Sequence, residues 1–133
     1  MKLFVPREID AAETRVPLLP TEAGKLVQLG ADVEVQSGIG ESVNTSDQAY
    51  EETGAQTPGD RAASLSEAEM ILRISAPSGE DLLHLAEGCI HISYMDPFSN
   101  VELLRQFAAG KVSAISLEMI PRTTIARQMD VLS

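Results

Sequence analysis

Strand-like stretches alternate with helix-like stretches along this whole chain, and that alternation admits few folds. Residues 2–5 form a short apolar run closed by Pro6. Residues 32–36 alternate with a period of two, and 70–74, 89–93 and 112–117 are compact apolar runs. Helical composition fills the gaps. Thr21 is placed to cap a helix over 21–29, with Glu22 in its first turn and Gly30 as its stop. Ser46 opens a second helix that ends at Gly54, and weaker or shorter helices are expected over 60–68, 80–86 and 100–109. Residues 55–58 read as a short edge strand. Strands separated by helices predict βαβ units, hence a mostly parallel, doubly wound α/β sheet. The expected architecture is a flavodoxin-like or Rossmann-like three-layer sandwich. The pattern leaves the strand order open.

The 133 residues suit a single domain with a real core, 44% hydrophobic and 23% charged. Aromatic residues are only 4% and Trp is absent, so that core must be aliphatic. A net charge of −10 argues against a broad nucleic-acid or anionic-membrane surface, although a few arginines can still build a small anion site. The single Cys89 allows no internal disulfide and sits in the apolar run Cys89-Ile-His-Ile, where a buried, inert thiol is expected. No apolar run approaches the roughly 20 residues of a membrane-spanning helix. A soluble cytoplasmic domain is the expectation.

Few residues announce chemistry. Gly38-Ile-Gly40 resembles the start of a dinucleotide fingerprint, but Val43 stands where the third glycine should fall, so a turn is the better reading. Neither a P-loop, a nucleophile elbow nor a metal-ligand cluster occurs. His84 reads as a surface or boundary residue and His91 as a packed one. Asp96 lies in a strand-end loop where it could reach a ligand or simply form the turn before Pro97. Arg73, inside an apolar strand, needs a carboxylate or a bound anion, and a structural pair is favoured. Arg15 shares that ambiguity. The closing stretch, 118–133, places Arg122, Arg127, Gln128, Asp130 and Ser133 just after a strand. Its forked donors, amide and acceptors suit a phosphate-, amide- and hydroxyl-bearing ligand, or else form a polar tail.

Three segments carry a family resemblance: Phe4-Val-Pro-Arg-Glu8 with Glu13-Thr-Arg-Val16 and Pro20; Leu29 through Glu41; and Ile71-Leu-Arg-Ile-Ser-Ala-Pro77. They are similar to the N-terminal segment shared by alanine dehydrogenases and NAD(P) transhydrogenases, and the resemblance runs over essentially the whole chain. Met119-Ile-Pro-Arg-Thr followed by Met129-Asp-Val-Leu-Ser133 resembles the nicotinamide-contacting loop of the proton-translocating transhydrogenase. That likeness implies nicotinamide contacts at Arg122, Asp130 and Ser133. The family's glutamine falls on Arg127, with Gln128 one residue later. In the alanine dehydrogenase branch, Arg15 would hold the substrate carboxylate, the catalytic lysine falls on Arg73, and no histidine stands near Met95 and Asp96.

The resemblance further implies an NAD(H)-binding α component in which this segment precedes a separate NAD-binding domain that cradles the pyrophosphate. On that view the 133 residues alone bind NAD(H) weakly or not at all. NADP(H) would sit on a different component and no metal would be needed. The component would be a homodimer docked, through a membrane-embedded partner, on the cytoplasmic side of the inner membrane. The alternatives are an alanine-dehydrogenase-like amino-acid oxidoreductase domain and a non-catalytic binding or dimerisation module.

Overall fold

The computed structural model describes residues 1–96 and 100–117. Along the chain run β1 (Lys2–Val5), α1 (Pro20–Gln28), β2 (Asp32–Val35), a 3₁₀ turn (Glu41–Val43), α2 (Asp47–Glu51), α3 (Arg61–Glu67), β3 (Met70–Ser75), α4 (Gly79–Leu82), β4 (Ile90–Tyr94), α5 (Val101–Ala109) and β5 (Ser113–Ser116). The described strands form one parallel sheet in the order β2-β1-β3-β4-β5. The chain therefore winds outward in one direction from β1 to β2, then crosses back to continue through β3, β4 and β5. The doubly wound expectation holds, and the order left open by the sequence is the flavodoxin-like one, with its reversal between β1 and β3.

Alternation along the strands divides the apolar residues between two faces. Leu3 and Val5 of β1 join Val33 and Val35 of β2 in one cluster with Ala23 of α1 and Tyr50 of α2. Phe4 points the other way. It packs with Ile71, Leu65, Cys89, Met95 and Phe107 beneath α3, α4 and α5. Helices on both faces make the three-layer sandwich that the sequence predicts.

Local corrections have local causes. The first helix is capped at Leu19, not Thr21. Pro20 presets the first helical turn, and the Glu22 carboxylate reaches back to accept the Leu19 N–H at 3.0 Å, the half of a capping box that the third helical residue supplies. Helix α4 stops at Leu82, short of the expected residue 86. Beyond it Leu83, His84 and Leu85 bond back to Glu80, Asp81 and Leu82, the tighter three-residue spacing. That spacing brings Leu82 and Leu85 together onto the core while Leu83 is left 83% exposed. The edge strand expected over 55–58 reduces to one bridge between Gln56 and Glu34. Ser46 and Asp60 cap α2 and α3 by accepting the N–H of Ala49 and Ala63.

Candidate functional site

In an open parallel sheet, two neighbouring connections diverge where the strand order reverses, leaving a crevice at the carboxyl ends of those strands. Here that point lies between β1 and β3. The two strands pair only at Leu3 with Met70 and at Phe4 with Ile71, and beyond that they part. The register of β3 against β4 also slips between Leu72 and Ser75. Both irregularities leave β3 backbone donors without a strand partner, and Glu8 from the β1 connection takes them. Its Oε1 accepts from Ile74 N at 2.6 Å and from Ser75 N at 3.2 Å.

Four charges gather here, with Arg73 and Asp81 buried and Glu8 and Arg61 partly buried. Arg73 is 1% exposed. Its Nη1 donates to Asp81 Oδ2 at 2.8 Å, and its Nη2 lies 3.5 Å from Glu8 Oε2. Arg61 of α3 grips Asp81 from the other side, Nε to Oδ1 at 3.0 Å and Nη2 to Oδ2 at 2.6 Å. Its remaining nitrogen, Nη1, donates to the Arg7 carbonyl and to Gln36 Oε1, both at 2.7 Å. Gln36 Oε1 also accepts the Arg7 N–H at 2.8 Å. Two guanidiniums thus meet two carboxylates. Burial alone would push the Asp81 carboxyl upward, but the pull of Arg61 and Arg73 outweighs it and the net shift is downward. The pairing expected for Arg73 is present, and its partners are Asp81 and Glu8.

Two clefts flank this network. One, of about 410 Å³, lies between the β1 connection, α3 and α4, with Arg61, Asp81, His84, Leu65 and Ile9 in its walls. The other, of about 260 Å³, lies beyond Glu8 towards the Gly38 turn, with Arg7, Glu13 and Arg15 around it. Arg15 is a surface group: its fork spans the Glu13 carboxylate at 2.8 and 2.9 Å and holds that carboxyl down at about 2. Its guanidinium carbon also stands 5.8 Å from the centre of the Tyr94 ring.

The Gly38 turn is a turn, as its spacing predicts. The Asp47 carboxylate already accepts from Ser37 Oγ at 2.6 Å and from Gly38 N at 2.8 Å. A negative charge therefore occupies the place a pyrophosphate would need, and the turn does not fit a dinucleotide. Gly40 meets a different demand, since a Cβ there would run into the Thr45 carbonyl.

His91 is packed as expected, fully buried against Phe107 with ring centres 5.1 Å apart. Burial first, and then the nearby Arg73 charge, push its pKa down to about 3, so the imidazole is neutral. Burial likewise raises the Cys89 thiol to about 11, consistent with an inert core residue. His84 is half-buried at the cleft wall. Asp96 adopts φ 46° at the end of β4, a left-handed turn conformation. Among the described residues no grouping of His, Cys, Asp and Glu is suited to a metal, and no helix is long and apolar enough to cross a membrane. Arg122, Arg127, Gln128, Asp130 and Ser133 lie outside the described residues.

Glu8, Gln36, Arg61 and Asp81 carry no signal in the sequence that ties them together. Only Ser78, which caps α4 by accepting the Asp81 N–H, hints that Asp81 is fixed in place.

The family profile described as "Alanine dehydrogenase/PNT, N-terminal domain" matches residues 4–133. The NAD(P) transhydrogenase subunit alpha of Haemophilus influenzae is 30% identical over all of this chain, which spans 26% of that protein. An alanine dehydrogenase of Halomonas elongata is 32% identical over 98% of this chain, which spans 38% of it. The solved transhydrogenase of Sinorhizobium meliloti superposes with a TM-score of 0.87 and 34% identity, over 99% of this chain and 38% of that one. The chain thus spans between a quarter and two fifths of the length of these relatives. With its switch-point geometry and a profile match over nearly its whole length, this chain belongs to the alanine dehydrogenase/PNT N-terminal domain family.

Proposed function

We propose that the chain is the N-terminal domain of the NAD(H)-binding α component of a proton-translocating NAD(P) transhydrogenase. The observation that carries this reading over the alanine dehydrogenase one is the state of Arg73. Reductive amination needs a group that can give and take a proton at the reacting centre. Arg73 is always protonated, sealed from solvent and held by Asp81 and Glu8. The buried His91 is equally withdrawn. Hydride exchange between two nicotinamides requires no such acid or base, and positioning suffices.

The nicotinamide contacts are assigned to Arg122, Asp130 and Ser133, with Arg127 or Gln128 in the glutamine's place. The Asp47-filled turn at Gly38 speaks against a pyrophosphate site here, so the rest of NAD(H) would be held by another domain of the polypeptide. NADP(H) would be carried by a partner component. The component would act as a homodimer, peripheral to the inner membrane on its cytoplasmic side through a membrane-embedded partner.

The test uses the full-length protein with its partner subunits. Hydride transfer from NADPH to an NAD analogue should be present, and Arg122→Ala or Asp130→Ala should lower it by on the order of 100-fold through misplacement of the ring. Appreciable pyruvate amination would replace this reading with the alanine dehydrogenase one. Unchanged transfer in both variants would favour a non-catalytic binding or dimerisation module.

A further inference from the structure

The sheet face beneath α3, α4 and α5 buries more polar groups than the ion-pair network uses. Arg73 Nε, both ring nitrogens of His91, and the hydroxyls of Ser93 and Ser116 are buried without a hydrogen-bond partner among the described residues. Their residues are 1%, 0%, 0% and 7% exposed. Native interiors leave few such groups unpaired, and four side chains together call for an explanation.

These side chains are neighbours by construction. His91 and Ser93 are two residues apart on β4 and share a face. Ser93 pairs in register with Ser116 of β5. The slip in β3 sets Arg73 and Ile74 against the Ser93 level, between the Leu72–Ile92 and Ser75–Tyr94 pairs. With strands about 4.8 Å apart, Arg73, Ser93 and Ser116 form a row about 10 Å long, and His91 lies about 7 Å further back along β4.

The chemistry of the row selects its ligand. Arg73 Nε only donates, a neutral imidazole donates once and accepts once, and each hydroxyl does both. The ligand must therefore donate as well as accept. It need not be charged, because Asp81 and Glu8 already balance Arg73 and Arg61. It must also be small, since Phe107 closes the face over His91. We propose that this row is an internal water site, in which one or two water molecules bridge the Ser93 and Ser116 hydroxyls to Arg73 Nε and the His91 ring. The bound water extends the Arg61–Asp81–Arg73 network from the switch-point cleft into the core and gives the neutral His91 its hydrogen bonds without a charge. This is the role ordered water plays between buried groups that cannot reach one another.

Crystals of the full-length protein diffracting well enough to place ordered water decide the matter. The expected result is a density peak within about 2.7–3.2 Å of at least two of these atoms. Ser93→Ala and Ser116→Ala should each weaken or displace it, and the His91 ring nitrogen resonances should shift in both variants. The proposal is overturned if the wild-type side chains pair directly, serine to serine or serine to histidine, with no density between them. A peak refining as an anion overturns it as well. Should a serine variant fail to fold, the wild-type density still gives the answer.

Discussion

The two faces of this sheet are built to different rules. Against α1 and α2 the packing is aliphatic, Leu3, Val5, Val33 and Val35 with Ala23, and its notable polar atom is the Tyr50 hydroxyl, which donates to the Leu18 carbonyl at 2.8 Å. Against α3, α4 and α5, strands β3, β4 and β5 bury Arg73, His91, Ser93 and Ser116, and α4 adds Asp81. The first face gains its stability chiefly from apolar area. The second must satisfy every charge and hydroxyl it encloses, and an ion pair there contributes little net stability compared with apolar residues of the same size. The difference falls at the end of the sheet where β1 and β3 part. Polar groups are retained where the backbone itself has donors to satisfy, as Glu8 does for Ile74 and Ser75.

The comparison breaks most sharply at Asp81. Asp81→Ala leaves Arg73 buried with Glu8 alone at 3.5 Å, and the loss should be about 3–5 kcal/mol in denaturant unfolding. The double replacement Arg73→Met with Asp81→Leu should recover much of that loss; a double variant no better than the single would mean that the second face depends on the charges themselves. Asp81 also gives an acid signature. Its carboxyl is depressed in the folded state, so its contribution is complete above the unfolded carboxyl range and disappears as pH falls through the folded value.

His91 sharpens the contrast at milder pH. Its folded value of about 3 lies below the ordinary 6.5, so below that ordinary value the unfolded chain binds more protons and stability falls with pH. The expected cost is about 2 kcal/mol at pH 5 relative to neutrality. Unfolding midpoints measured from pH 7 to pH 5 should show this slope in the wild type and lack it in His91→Leu. An unchanged slope in the variant would place the acid sensitivity elsewhere.

The smallest effect belongs to the apolar face. Tyr50→Phe removes one hydrogen bond and leaves the Leu18 carbonyl to find another partner, a loss of about 1 kcal/mol. A loss as large as that of Asp81→Ala would erase the distinction between the faces.

Much of the architecture was legible from local pattern. Ser46 and Asp60 cap their helices because a short acceptor side chain reaches back to the third residue along, a relation contained in four consecutive residues. Gly30 ends α1 with φ 97°, where other residues are strained. Thr21 misled because Pro20, one residue earlier, is itself a good first helical residue, and Glu22 could supply its half of a capping box from inside the helix. The candidate site was less legible. That Arg73 needed a partner follows from its apolar neighbours, but the partner's identity does not.

The sequence by itself determined the alternation of strand and helix, the aliphatic character of the core and the demand for a negative partner beside Arg73. Each depends on residues close together in the chain, where backbone geometry and burial act directly. Only the tertiary structure decided the strand order and the meeting of Glu8, Gln36, Arg61, Arg73 and Asp81 at the parting of β1 and β3. Those five residues are spread over more than half the chain, and what brings them together is the crossover from β1 to β3, a long-range pairing that no local pattern encodes.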